Sequence, residues 1–282
     1  MHTTLISTGE LAAHLDDPSF VIVDVRHDLA QPDTLGESQY RASHIPGARF
    51  AHIDRDLSAP KTGKNGRHPL PSPEACAALF GRLGIDAGKQ VVACDAGGGM
   101  YAPRLWWMLR WLGHDAVAVL DGGFAKWVRE GRPVTAEISD VHPTTFPIRR
   151  VDRTVGAADV LASLADRSLI VVDARGAERF RGDVEPLDPV AGHIPGSVNR
   201  PYTLNLEPDA TFKSGENLRA EFASVVGEVP ASRIVNSCGS GVSACHNLLA
   251  MEIAGMSGSL LYPGSWSEWC ADPSRPVARG PA

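Results

Sequence analysis

Val21-Ile22-Val23-Asp24-Val25-Arg26 returns later in the chain as Ile170-Val171-Val172-Asp173-Ala174-Arg175, with Asp24 and Asp173 149 positions apart. His44-Ile45-Pro46-Gly47 returns as His193-Ile194-Pro195-Gly196 in the same register. Two motifs at one spacing mark a duplicated unit, and the period is far too long for a solenoid. Further matches follow at slightly smaller offsets. Val91-Val92-Ala93-Cys94-Asp95 parallels Ile234-Val235-Asn236-Ser237-Cys238, an apolar run entering a Gly-rich turn, which sets Asp95 opposite Cys238. Trp127 matches Trp269 at an offset of 142. The chain therefore divides into residues 1–135 and 150–282. A stretch from about Gly131 to Thr154 links them, and Arg132-Pro133 and Val141-His142-Pro143-Thr144-Thr145-Phe146-Pro147 give it linker composition.

Within each repeat the pattern predicts an α/β fold. The β-branched runs Phe20–Val23, Gln90–Ala93 and Ala116–Leu120 read as buried parallel strands, and Leu169–Val172, Arg233–Asn236 and Ser259–Tyr262 are their counterparts. Helical patterns lie between them. Ser72-Pro73-Glu74 opens one with a cap residue and a proline at the first helical position. Ala102 to Leu112, stopped by Gly113, is another, and Ala244 to Ala254, stopped by Gly255, is its equivalent. Strand–helix alternation means a parallel sheet flanked by helices. Sites in such sheets form at loops leaving the carboxyl ends of strands, where Cys238 stands.

Composition narrows the function classes. The chain has 282 residues and a formal net charge of -6. Its pI of about 5.9 and short, mixed charge runs give no basic footprint for nucleic acid. No apolar stretch reaches the length of a membrane span, and the first residues lack a basic, then apolar, export pattern. Five cysteines without such a signal predict free thiols in a reducing cytoplasm. No Cys/His spacing matches a zinc site, and Ala96-Gly97-Gly98-Gly99 lacks the Lys-Ser/Thr of a phosphate-binding loop. Neither a metal nor a cofactor is expected.

The chemistry concentrates in Cys238-Gly239-Ser240-Gly241-Val242-Ser243-Ala244-Cys245, between a strand and a helix. Two glycines within four residues allow a tight turn whose N–H groups face inward. The helix N-terminus adds partial positive charge. Both favour an anion at the Cys238 sulfur, the form that acts as a nucleophile. Cys245, at a helix start, reads as core packing rather than a resolving thiol. Asp24 and Asp173, each followed two positions later by arginine, read as structural pairs because both repeats carry them.

This loop, together with the tandem Asp-x-Arg and His-Ile-Pro-Gly blocks and Trp266-Ser267-Glu268-Trp269, resembles the rhodanese superfamily. Within it the 3-mercaptopyruvate sulfurtransferases carry the similar loop CGSGVTAC; here Ser243 stands for the usual threonine. The resemblance spans essentially the whole chain. It implies two tandem rhodanese-like domains, with Asp95 marking a catalytically silent first domain and Cys238 carrying sulfur as a persulfide in the second. It implies a small-molecule sulfur donor and a thiol, thioredoxin or cyanide acceptor. The neutral Gly239-Ser240-Gly241 points to 3-mercaptopyruvate, with thiosulfate as the alternative donor. Gly239, Gly241, Val242 and Ser243 would line the donor site, and Arg179 would bind its carboxylate. The resemblance also implies a second arginine after a Glu-Pro pair, but Glu185-Pro186-Leu187-Asp188-Pro189 has none; Arg104 would substitute if it faced the cleft, and Arg181 reads as solvated. Ser240 would pair with His44 and an acid, here Asp33, in a proton relay; the alternative for His44 is that it braces the turn, as its twin His193 would. A phosphatase of related fold would need an arginine six positions after the cysteine, where Ala244 stands.

Overall fold

The computed structural model describes residues 1–281. It resolves into two compact units. Unit 1 comprises residues 1–59, 71–152 and 208–212; unit 2 comprises residues 60–70, 153–207 and 213–282. The boundary at 152/153 falls inside the stretch of linker composition. Each unit also contains a short segment from the other half of the sequence, which the division into 1–135 and 150–282 does not anticipate.

Unit 1 runs β1 (Leu5–Ile6), α1 (Thr8–Ala12), β2 (Phe20–Asp24), α2 (Leu35–Ala42), β3 (Arg49–Phe50), α3 (Pro73–Arg82), β4 (Gln90–Cys94), α4 (Ala102–Trp111), β5 (Val117–Leu120) and α5 (Gly123–Arg129). Its five strands are all parallel, in the order β1-β5-β4-β2-β3. Unit 2 runs α6 (Ala157–Asp166), β6 (Ile170–Asp173), α7 (Ala177–Arg181), β7 (Val198–Asn199), α8 (Gly215–Val226), β8 (Ile234–Ser237), α9 (Ala244–Ile253), β9 (Leu260–Leu261) and α10 (Ser265–Trp269). Its parallel sheet has the order β7-β6-β8-β9, and Thr154 pairs with Leu261 where β1 pairs with β5 in unit 1. The two sheets therefore share one strand order, as a duplication requires.

The strands form where β-branched side chains are buried on both faces. Val21, Val23, Val91, Val92, Val117, Val172, Ile234 and Val235 are at most 1% exposed, the burial expected of central parallel strands. Burying one such side chain contributes about 1.5–3 kcal/mol. Helix starts follow the sequence signals. Ser72 Oγ accepts the Ala75 N–H at 3.2 Å, with Pro73 in the first turn of α3. Gly113, at φ +83°, follows the end of α4.

The repeated motifs build the same joint twice. Arg26 binds the Asp24 carboxylate and donates to the Ser43 carbonyl, directly before His44. Arg175 binds Asp173 and donates to the Gly192 carbonyl, directly before His193. Each guanidinium also lies over an aromatic ring, Phe124 for Arg26 and Trp266 for Arg175. His44 Nδ1 bonds the Tyr40 carbonyl at 2.7 Å with its ring stacked on Tyr40. His193 Nδ1 bonds the Phe180 carbonyl at 2.8 Å with its ring stacked on Phe180. Trp127 and Trp269 donate their indole N–H to Pro133 and Pro276. These residues tie each strand end to the segment that closes its unit.

Candidate active site

The site lies in unit 2, at the carboxyl end of the central strand β8. Cys238 follows Ser237 at the strand end and is 1% exposed. The chain then turns through Gly241, at φ +77°, into α9. That turn aims the N–H groups of Ser240 and Gly241 at the Cys238 Sγ, at 3.4 and 3.1 Å. Inward-facing amide groups at a helix start form an anion cradle. The Cys238 N–H is itself held by Ser265 Oγ at 3.1 Å. Ser265 is a non-glycine residue at φ +52°, and its hydroxyl also donates to the Tyr262 carbonyl. A residue held in this uncommon conformation fixes the Cys238 backbone.

The other thiols are of a different kind. Burial pushes Cys76 up to about 12 and Cys270 up to about 11, and it drives Cys94 well above the ordinary thiol range. Cys245 Sγ bonds the Gly241 carbonyl from the first turn of α9 and is fully buried.

Asp95 shows what the same loop becomes in unit 1. Its carboxylate accepts four backbone N–H groups, from Gly97 (3.1 Å), Gly99 (3.3 Å), Tyr101 (2.8 Å) and Ala102 (3.0 Å). The cradle is filled by the chain's own anion. Burial pushes the Asp95 carboxyl up, and the four N–H groups pull it down. Asp95→Asn keeps the shape but turns an NH2 group towards backbone donors. It is expected to destabilise unit 1 by about 1–3 kcal/mol, read from denaturant unfolding; an unchanged midpoint would contradict the structural role.

Ser240 and a histidine do meet, but the histidine is not the one the sequence pointed to. Ser240 Oγ lies 2.7 Å from Nδ1 of His68. His44 lies in unit 1, fully buried, with Nε2 3.1 Å from the Glu137 carbonyl in addition to its bond to Tyr40. Its ring nitrogens face two backbone carbonyls, the geometry of a brace. Asp33 is exposed in the turn before α2, also in unit 1. His68 belongs to the segment 60–70 that packs with unit 2. It lies 172 positions from Ser240 and has no partner in the repeat pattern, so spacing alone does not single it out.

The same segment supplies the second guanidinium that the stretch after Glu185-Pro186 lacks. A Cβ at Gly239 would stand 2.7 Å from an Arg67 nitrogen and 3.5–3.6 Å from both terminal nitrogens of Arg179. Both arginines therefore face the loop beside Cys238, and Gly239 leaves them the room. Arg104 is fully buried in unit 1 and donates to the Leu57 carbonyl. Arg181 pairs with Asp183 at the surface. Val242 is buried, and Ser243 stands at the N-cap position of α9 without a side-chain capping bond.

The two arginines end a ladder of alternating charge. Asp173 binds Arg175, Arg175 binds Glu185 at 3.3 Å, and Glu185 binds Arg179 at 2.7 Å. Asp188 then bridges Arg179 (3.2 Å) and Arg67. Burial opposes the charge on Arg175, but Asp173 and Glu185 outweigh it and hold the guanidinium above its ordinary value. Burial would raise Glu185, yet the Arg179 bond and the Leu187 and Asp188 N–H groups bring it below the usual range.

In unit 1, His27, His52 and Asp54 place ligand-type atoms within 4.8 Å of one another. His52 is not available as a metal ligand, because Nε2 bonds the Pro32 carbonyl and Nδ1 accepts the Asp54 and Arg55 N–H groups.

Residues 7–130 and 156–272 each match the Rhodanese-like domain family, so the chain belongs to that family as a tandem pair. It is 44% identical over 279 residues to the "Probable 3-mercaptopyruvate sulfurtransferase" of Pseudomonas aeruginosa, covering 98% of each chain. It is 38% identical to the thiosulfate sulfurtransferase of Cricetulus griseus, covering 99% of this chain and 97% of the relative. Its fold is similar to that of SseA from Escherichia coli, described as a 3-mercaptopyruvate sulfotransferase. That match has a TM-score of 0.81 and 34% identity, and covers 94% of this chain and 99% of the other. Among the described residues, no helix is long and apolar enough to cross a membrane.

Proposed function

We propose that this protein is a 3-mercaptopyruvate sulfurtransferase that carries sulfur as a Cys238 persulfide. The observation that carries the reading is the Cys238 Sγ in its cradle of two N–H groups, beside Arg67, Arg179 and the Ser240–His68 pair. The relatives in Pseudomonas aeruginosa and Escherichia coli support the choice of donor.

The reaction runs in two halves. Arg67 and Arg179 hold the donor carboxylate, which places the donor sulfur over Cys238. The Cys238 thiolate attacks that sulfur, the carbon–sulfur bond breaks, and the electron pair leaves as the enolate of pyruvate. The Ser240 hydroxyl, hydrogen-bonded to His68, delivers a proton to the enolate. The proton that the donor thiol gives up restores the Ser240–His68 pair, so the persulfide remains as an anion on the two N–H groups. A thiolate acceptor, which includes a reduced thioredoxin, or cyanide then takes the outer sulfur and returns the Cys238 thiolate.

Thiosulfate would leave as sulfite, which needs no proton at carbon. His68→Phe is therefore expected to slow pyruvate release by roughly 100-fold while sulfite release from thiosulfate falls less than about tenfold. Equal losses with both donors would assign His68 a purely structural role. The donor itself is tested by measuring kcat/KM for pyruvate release from 3-mercaptopyruvate and for sulfite release from thiosulfate, with one acceptor. A higher value for thiosulfate would overturn the donor and leave the persulfide chemistry standing.

A further inference from the structure

The charge ladder holds a carboxylate, Asp188, where the donor's own anion must bind. Asp188 has 3% side-chain exposure and bridges the two guanidiniums that face the loop, while Arg67 and Arg179 are 26% and 21% exposed. Its backbone N–H is tied to Glu185 at 3.1 Å, which fixes the carboxylate in place. The ladder contains three carboxylates, Asp173, Glu185 and Asp188, and three guanidiniums, Arg175, Arg179 and Arg67. It is neutral before any donor arrives. With Glu185 on Arg179 and Asp188 between Arg179 and Arg67, no net positive charge is left over.

From this balance we infer that Asp188 is a specificity-determining residue that sets the charge class of the donor. It brings the ladder to neutrality, so the two arginines can hold a singly charged carboxylate but lack the further positive charge that a dianion needs. A second negative charge would sit within a few ångströms of Asp188 in a mostly buried place, where like charges repel strongly. Without Asp188, and with Glu185 still bound to Arg179, the ladder would carry one net positive charge beside Cys238, a better match for thiosulfate. The inference deepens the reading of the site as a carboxylate-donor sulfurtransferase and rests on it. It also explains how a loop with no basic residue after the cysteine discriminates between donors. The neutral Gly239-Ser240-Gly241 adds no charge, and Asp188 cancels one that the arginines supply.

The test is the ratio of kcat/KM for thiosulfate to kcat/KM for 3-mercaptopyruvate. Asp188→Asn is expected to raise that ratio by at least about tenfold over the unsubstituted protein, a difference of ~1.4 kcal/mol, with kcat/KM for thiosulfate itself increasing. Asp188→Glu retains the charge while disturbing the packing, and is expected to hold the ratio within about threefold. Dead-end inhibition by sulfate and by acetate supplies a readout independent of turnover: sulfate is expected to gain affinity in Asp188→Asn far more than acetate. If both donors weaken together in Asp188→Asn, or if Asp188→Glu shifts the ratio as much as Asp188→Asn, the carboxylate only positions the arginines and the inference fails. Which donor the unsubstituted protein prefers is read separately, so a wrong donor assignment and a wrong role for Asp188 give different results.

Discussion

Cys238→Ser is expected to lose pyruvate release from 3-mercaptopyruvate by roughly four orders of magnitude or more, with folding intact. The hydroxyl is nearly the same size as the thiol, and Ser240 and Gly241 N–H groups remain to receive it. The packing around this buried position changes little, so the unfolding midpoint is expected to stay within a few degrees. The chemistry changes completely. A serine oxygen is protonated at neutral pH, and an oxygen-bound sulfur is not a persulfide. Loss of thiosulfate turnover is expected to be equally deep, because the same sulfur accepts from either donor. Residual turnover above about one part in a thousand would mean that another group takes the sulfur. Cys245 and Cys270 are poor candidates: Cys245 is fully buried and bonded to the Gly241 carbonyl, and burial pushes the Cys270 thiol up.

Gly241→Ala is expected to give the second-largest loss. Gly241 sits at φ +77°, where an alanine costs about 1–2 kcal/mol. A Cβ there would meet the Pro263 carbonyl oxygen at 2.2 Å, and that atom is backbone that cannot swing aside. The turn must shift, and it carries the N–H that lies 3.1 Å from the Cys238 Sγ. Losing one preorganised donor to a reacting anion costs roughly 100- to 1,000-fold in rate, so kcat is expected to fall by about that factor. The unfolding midpoint is expected to drop by roughly 2–4 °C per kcal/mol of strain. Gly196→Ala is the control. Its φ of +73° imposes similar backbone strain, but nothing lies within 4 Å of the added carbon. It is expected to lower the midpoint and spare kcat. If both variants lower kcat alike, general destabilisation rather than the cradle explains the loss.

Much of this was legible in the sequence because repeats report architecture directly. The paired Asp-x-Arg and His-Ile-Pro-Gly motifs recur as the same joint in both units, with each arginine reaching the carbonyl before its histidine. Strand positions could be read because central parallel strands are apolar on both faces, a run of β-branched residues that short helices rarely show. The proposed nucleophile was legible for a local reason: strand, glycine turn and helix start are contiguous in Cys238 to Ala244. The Ser240–His68 pair was not, because it is assembled from segments far apart in the chain. His44 attracted attention by lying in a motif, and the repeat that made it visible is also what makes it structural, since His193 holds the corresponding carbonyl in unit 2. Arg67 and His68 lie in a loop of Lys, Gly, Asn and Pro that reads as a simple connection, and nothing local shows that it packs with the other half of the chain. The lack of an arginine at Leu187-Asp188 reflects a real difference in how the site is assembled. The second guanidinium comes from Arg67, and Asp188 is the residue that links it to Arg179.

The most direct test of sulfur transfer through Cys238 is a single turnover without acceptor, followed by peptide mass analysis. One equivalent of 3-mercaptopyruvate is expected to yield one equivalent of pyruvate and a mass gain of one sulfur atom on the peptide containing Cys238. That sulfur is expected to leave when cyanide is added. Pyruvate formed without added mass on that peptide, or sulfur found on Cys94, Cys245 or Cys270 instead, would contradict the account.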